Sequence, residues 1–246
     1  MGTLKFIIKT VMVVVAIGGI PSVADASKAS NKARIAHAKE LLGGRNYRHS
    51  AARKAESVGD ISDFIDRMTA EWLPTKHSKK ARTLSSAIIH EADKYGFDPV
   101  FILAVIQNES GFNPEMRGGH TEIGLMQIKP VTAAWIAKKM KLKYKGEKSL
   151  LNPVENVRIG IAFMSVLRDQ FESHSRLYIS AYNMGARRVR QIVADDRMPK
   201  DYVQAVMKRY VAIYSAFADE EKQDLDTLTK NALSRVREVT RAVASS

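Results

Sequence analysis

Cysteine is absent from all 246 residues. That absence excludes disulfide staples, thiolate zinc sites, iron–sulfur clusters, a cysteine nucleophile and a lipidated N-terminal cysteine. No stretch alternates apolar and polar residues for long enough to read as a half-buried strand. There is no Gly-rich phosphate loop and no Gly-x-Ser-x-Gly elbow, so nucleotide-binding and serine-hydrolase signatures are missing. His90 and His120 stand far apart in the chain without acidic partners at ligand spacing, and neither a metal nor another cofactor is expected. Aromatic residues are few, at 7%, but ten Met residues add apolar volume for a core built without cross-links.

Long apolar runs are also lacking, with one exception at the start. Lys5 and Lys9 precede an apolar stretch from Thr10 to Ile20, Pro21 breaks it, and Ala24-Asp25-Ala26 has the small-x-small form of a cleavage point. The stretch is short for a bilayer span and has the order of a secretory signal, so residues 1–26 are read as a removed signal peptide. The mature protein is then periplasmic or secreted, with no stable membrane anchor expected after cleavage. Losing Lys5, Lys9 and Asp25 takes the formal charge from +13 to +12. A surplus of this size fits nucleic acid or the anionic polymers of a cell envelope. Export favours the envelope, and the scattered rather than striped charge argues against a nucleic-acid partner.

Residues 27–83 form a polar, basic arm with 13 Lys or Arg against 6 Asp or Glu. Ala33–Leu42 reads as a short helix ending at Gly43-Gly44. Asp60–Leu73 reads as an amphipathic one, stopped by Pro74. The intervening Arg45–Ser50 stretch has no assignable pattern. From Leu84 the apolar spacing is helical throughout. Asp98-Pro99 opens a helix closed by Gly111, Pro130 opens one to about Met140, and Asn152-Pro153 opens another; two shorter helices follow before one from Pro199. Lys138–Lys148 reads as a solvated loop, and residues 216–246 as a helical tail. The expected fold class is mainly α, and the least regular stretch, residues 110–129, is the expected seat of the site.

Glu109 ends an apolar helix with Val105 and Ile106 on its own face. Apolar neighbours and the negative end of a helix dipole both disfavour a carboxylate, and so raise its pKa toward the range of a neutral-pH general acid.

Around it lie Glu109-Ser110-Gly111-Phe112-Asn113-Pro114, Gly124-Leu125-Met126-Gln127, Asn152-Pro153, Asn156, Gly160, Ala181-Tyr182-Asn183-Met184-Gly185 and Pro199-x-x-Tyr202-Val203. In this order and spacing, residues 84–215 closely resemble the soluble lytic transglycosylase (SLT) domain, a relative of goose-type lysozyme. The resemblance implies a lysozyme-like helical fold with a groove for peptidoglycan glycan strands. It implies that Glu109 is the sole acid/base: it protonates the glycosidic oxygen between N-acetylmuramic acid and N-acetylglucosamine, and then takes the proton from the muramoyl O6 hydroxyl as that oxygen closes a 1,6-anhydro ring. The substrate supplies the nucleophile, so a second carboxylate is not needed. It further implies substrate-binding roles for Gln127 along the groove and for Tyr182 near the acid, with Ser110, Asn183 and Met126 beside them. The last three also have plain readings as caps and core.

The sequence departs from the family pattern at three places. A commonly found Ser is Gly118, which bears on recognition of the N-acetyl group. The usual Gly-Ala before the second motif is Thr121-Glu122. The third motif continues as Met184-Gly185-Ala186-Arg187, which puts Arg187 and Arg188 near the groove, where peptide-stem carboxylates would lie. Glu122 stands where chicken-type lysozymes place a second carboxylate. If it faces Glu109 across about 5–9 Å, hydrolysis becomes available; the plain reading is a surface or binding Glu. The leading function is therefore an exported peptidoglycan lytic transglycosylase. A lysozyme-type muramidase assisted by Glu122 is the alternative enzyme. A non-catalytic peptidoglycan-binding or secretion-assembly protein is the alternative outside catalysis, against which an intact Glu109, Gln127 and Tyr182 argue. The basic arm is expected either to hold the protein on anionic wall polymer or to close one end of the groove.

Overall fold

The computed structural model describes residues 23–58 and 61–244; the expected signal segment lies, over residues 1–22, outside them. The described residues form helices in the order α1 (Val23–Leu42), α2 (Gly44–Arg48), α3 (Ala51–Lys54), α4 (Ser62–Trp72), α5 (Ala81–Lys94), α6 (Pro99–Ser110), α7 (Pro130–Met140), α8 (Glu147–Leu150), α9 (Pro153–Gln170), α10 (Ser175–Met184), α11 (Ala186–Ala194) and α12 (Asp201–Ala244). Only isolated bridges, Arg117 to Ile123 and Ile123 to Ile128, stand in for β structure among them. The mainly helical expectation holds.

α6 is the axis of the molecule. Every side chain from Pro99 to Ile106 is buried, on all sides of the helix, as befits one enclosed by others. It packs against α5 and α12. Fully burying one of its Leu, Ile or Phe side chains contributes about 1.5–3 kcal/mol, so the position of Glu109, in its last turn, is tightly fixed. The helix starts as the sequence demands: the Asp98 side chain accepts from the Val100 N–H at 2.9 Å, Pro99 occupies the first turn, and Gly111 ends the helix in the left-handed region.

The basic arm is packed into this core. Asp98 Oδ2 accepts hydroxyls from Tyr210 at 2.7 Å and Tyr214 at 2.8 Å, and the buried Arg34 of α1 donates to the Tyr214 oxygen. His37 of α1, with 0% exposure, accepts the Asp98 N–H on Nδ1 at 3.0 Å and faces the Tyr178 hydroxyl through Nε2 at 2.9 Å. Arg168 of α9 forks onto Glu40 of α1 and donates to the Gly96 carbonyl. A burial of this kind is tolerated because nearly all of these polar groups have partners, the buried Arg34 Nε being the exception.

Three expectations are refined. The unassigned Arg45–Ser50 stretch is mostly α2, held by the buried Tyr47. The Lys138–Lys148 run is the end of α7, a short loop and the start of α8, capped by Lys141 in the left-handed region. The tail is the continuation of α12, which starts two residues after Pro199; no Gly or Pro stands between Asp201 and Ala244 to stop it.

Candidate active site

Residues 111–129, between α6 and α7, fold back over the end of α6. The Gly124 N–H donates to the Met116 carbonyl, Gly118 N–H to the Glu122 carbonyl, and Ile123 and Ile128 exchange two bonds of 3.1 Å. The fully buried Asn156 of α9 pins this segment: its amide donates to the carbonyls of Ile123 and Leu150, and its oxygen accepts the Met126 N–H. Gly124 is required here twice over. Its φ is +79°, and a Cβ would lie 2.3 Å from both the Asn156 amide nitrogen and the Leu150 oxygen.

A cavity of about 390 Å³ opens between this segment, the end of α6, α9 and the end of α10, and its wall includes Glu109, Glu122, Gln127, Phe163, Tyr182 and Asn183. Glu109 projects into it from the last turn of α6. The Tyr202 hydroxyl of α12 donates to Glu109 Oε1. Burial pushes the Glu109 carboxyl up, the Tyr202 hydrogen bond pulls it down, and the charge of Glu122 pushes it up again, leaving it at about 7. A group poised there gives up and recovers a proton at neutral pH with little bias either way.

Glu122 is the opposite kind of carboxyl. Partial burial raises its pKa, but the backbone N–H groups of Glu122 and His120 and the Lys129 ammonium outweigh that and hold it below the usual carboxylate range. Its Oε2 accepts the His120 N–H at 2.8 Å and its Oε1 lies 3.3 Å from Lys129 Nζ. One cavity thus holds a protonatable carboxyl and an ionised one, a division of labour set by surroundings rather than residue type. Gly118 sits against Glu122 and Gln127: a Cβ there would lie 2.5 Å from Glu122 Oε2 and 2.8 Å from Gln127 Oε1.

The other sequence-derived candidates divide. Gln127, with φ +46°, borders the cavity while its amide nitrogen donates to the carbonyls of Gly124 and Met116. Asn183 is exposed at the rim. Tyr182 lines the cavity, and its hydroxyl donates to the Met126 carbonyl at 2.8 Å rather than to Glu109. Burial first, and then the nearby Glu109 charge, hold that phenol well above its ordinary range, so it stays protonated. Ser110 and Met126 do not border the cavity. The Ser110 hydroxyl is spent on the Leu125 carbonyl at 2.8 Å, tying the end of α6 to the loop, and Met126 is fully buried beneath it. Tyr202 belongs to the Pro199-x-x-Tyr202-Val203 motif, which by itself assigns it no role. Its place two residues into α12 brings it to Glu109 from 93 positions away, a contact no local spacing announces. Lys129 and His120, which no motif places at the groove, both border it.

The family model of the Transglycosylase SLT domain matches residues 86–204. Membrane-bound lytic murein transglycosylase C of Yersinia enterocolitica is 34% identical over 140 residues, 53% of this chain and 39% of that relative. The protein of the same name from Histophilus somni is 36% identical over 115 residues, 43% of this chain and 32% of the relative. The chain therefore spans only about two fifths of the length of the curated relatives it matches. Among solved structures, a lytic transglycosylase Slt from Pseudomonas aeruginosa aligns with a TM-score of 0.49 and 22% identity, covering 79% of this chain and 37% of that one. Residues 86–204, just under half of the chain, are identified by this match as a transglycosylase SLT domain.

Proposed function

We propose that this protein is a lytic transglycosylase of the cell envelope, periplasmic or secreted, that cleaves the bond between N-acetylmuramic acid and N-acetylglucosamine in peptidoglycan. One observation carries the reading: Glu109 projects from the last turn of α6 into the cavity as its one protonatable carboxyl, and burial leaves it at about 7, which suits both halves of the reaction. As an acid, it protonates the glycosidic oxygen while the bond from that oxygen to the muramoyl anomeric carbon breaks. As a carboxylate, it takes the proton from the muramoyl O6 hydroxyl while O6 bonds to the same anomeric carbon. The products are a 1,6-anhydromuramoyl end and a free 4-hydroxyl, and no water is consumed. Gln127 and Asn183 offer amide contacts to the sugars, and the exposed Arg187 and Arg188 suit stem-peptide carboxylates.

Glu122 supports a second reading. An ionised carboxylate in the same cavity can stabilise a glycosyl cation or orient a water, which makes hydrolysis by a muramidase mechanism chemically available. Mass spectrometry of muropeptides released from purified sacculi, beside a Glu109→Gln control, separates the two. Ends lighter by one water, lost in the control, support transglycosylation; reducing ends, lost in the control, support the muramidase. If sacculi bind and no Glu109-dependent product forms, catalysis is refuted and the non-catalytic binding role stands.

A further inference from the structure

Tyr182 is the first of three aromatic rings that lead away from Glu109. Its ring lies 5.3 Å from that of Phe163, which lies 6.4 Å from the indole of Trp135 in an edge-to-face arrangement. Tyr182 and Phe163 belong to the cavity wall, and so does Thr132 of α7. Trp135 is three residues beyond Thr132 on the same helix and hence on the same side of it, one turn further out.

The state of this indole is unusual for a core aromatic. Trp135 is 46% exposed, while its neighbours Ala133, Ile136 and Ala137 are buried. The contact with Phe163 holds the ring edge-to-face, and nearly half of the residue stays open to solvent. An aromatic face kept open beside a polar cavity offers a ligand with a matching apolar face a place to settle. A pyranose ring has such a face in its axial C–H groups, and its hydroxyls project sideways into water. The other tryptophan, Trp72, is half-buried and packs on Phe112 with ring centroids 5.2 Å apart.

We propose that Trp135 is the platform of an outer sugar subsite, on which a pyranose of the glycan strand stacks beyond the residues held at Glu109. The assignment rests on the glycan-cleaving reading and adds to it a length preference. A strand long enough to reach from the acid past Phe163 to Trp135 gains a contact that a disaccharide cannot make. The row of rings runs to one side of the acid, so the gain falls on one side of the scissile bond and biases where along a strand the cut is made.

The test uses the full chain carrying Glu109→Gln, so that ligand is not consumed, and glycan strands stripped of stem peptides and fractionated into disaccharides and octasaccharides. Octasaccharide binding is expected to change tryptophan emission, with Trp135 as the reporting ring. Adding Trp135→Ala is expected to remove that change and to weaken octasaccharide binding about tenfold, while disaccharide binding stays as it was. Trp135→Tyr, which keeps a stacking face, is expected to recover most of the affinity; a merely structural role for the indole would give neither the length dependence nor this recovery. Equal octasaccharide affinity with Trp and Ala at position 135 overturns the subsite and leaves the glycan-cleaving reading standing. Absence of strand binding to every variant, together with no Glu109-dependent release from sacculi by the unsubstituted protein, overturns both.

Discussion

The Tyr202 hydroxyl donates to Glu109 Oε1, joining the start of α12 to the end of α6. The bond favours the charged form of the acid, while burial and the charge on Glu122 favour the neutral form. The donor thus sets how late in pH the acid is lost. Tyr202→Phe removes it without emptying the space, and the Glu109 pKa is expected to rise above about 7. A neutral-to-charged hydrogen bond is worth roughly 1 kcal/mol or somewhat more, so the alkaline limb of the pH–rate profile should move up by about half to one unit. A limb that stays in place, or moves toward acid, refutes the assignment of that limb to Glu109.

Glu109 should also be a liability for stability. Its folded pKa of about 7 stands above its ordinary value of 4.5. The folded state therefore holds the proton more tightly than the unfolded chain does, and this contribution is fully present below pH 4.5 and lost as pH rises through 7. Glu109→Gln cannot ionise. Its advantage over the unsubstituted protein is expected to be small at pH 5 and to grow to on the order of 2 kcal/mol at pH 8. Denaturant melts of both proteins at the two pH values check the sign.

His37 works the other way. Burial, and then the Arg168 charge, hold its pKa well below 6.5, and its Nδ1 accepts a backbone N–H only while neutral. The unfolded chain binds the proton more tightly, so stability is complete above about pH 6.5 and falls as pH drops below it. His37→Gln should lower stability by about 1–3 kcal/mol at pH 7.5 through the bonds it strands, and should flatten the loss between pH 6.5 and 5. For the same reason, removing residues 27–80 is expected to unfold the protein rather than to detach an appendage, since Asp98, Tyr178 and Arg168 all lose buried partners.

The legible parts of this molecule were those set by neighbours in sequence. Asp98-Pro99 and Gly111 bound α6, and Pro130 and Asn152-Pro153 open their helices, because caps and first-turn prolines act within a few residues. The raised pKa of Glu109 was legible for the same reason, from Val105 and Ile106 one turn back. The arm was not, because a Lys- and Arg-rich composition announces a solvated surface, and only the fold reveals that Arg34 points inward to Tyr214 and His37 to Asp98. Tyr182 and Tyr202 show the same limit inside the site. Both were visible as motif residues, but which phenol reaches Glu109 depends on how α10 and α12 meet α6.

Gly118 and Glu122 read in the sequence as two separate departures from the family pattern. In the structure they are one. The Glu122 carboxylate, held by the His120 N–H and Lys129, stands 2.5 Å from where a Cβ on residue 118 would be. A serine at 118 and a glutamate at 122 in this conformation therefore exclude each other. Gly118→Ser alone should push Glu122 off the His120 N–H and crowd Gln127, lowering activity on sacculi by roughly tenfold or more. Glu122→Ala alone should remove a nearby negative charge and let the Glu109 pKa fall, because that charge is one of the influences raising it. The double variant carries Ser and Ala together, and the part of the Gly118→Ser cost that comes from displacing Glu122 should disappear in it. Activity and melting temperature across the four proteins of this cycle measure the coupling; additive losses would mean that the two positions act independently and that Glu122 does not require the glycine beside it.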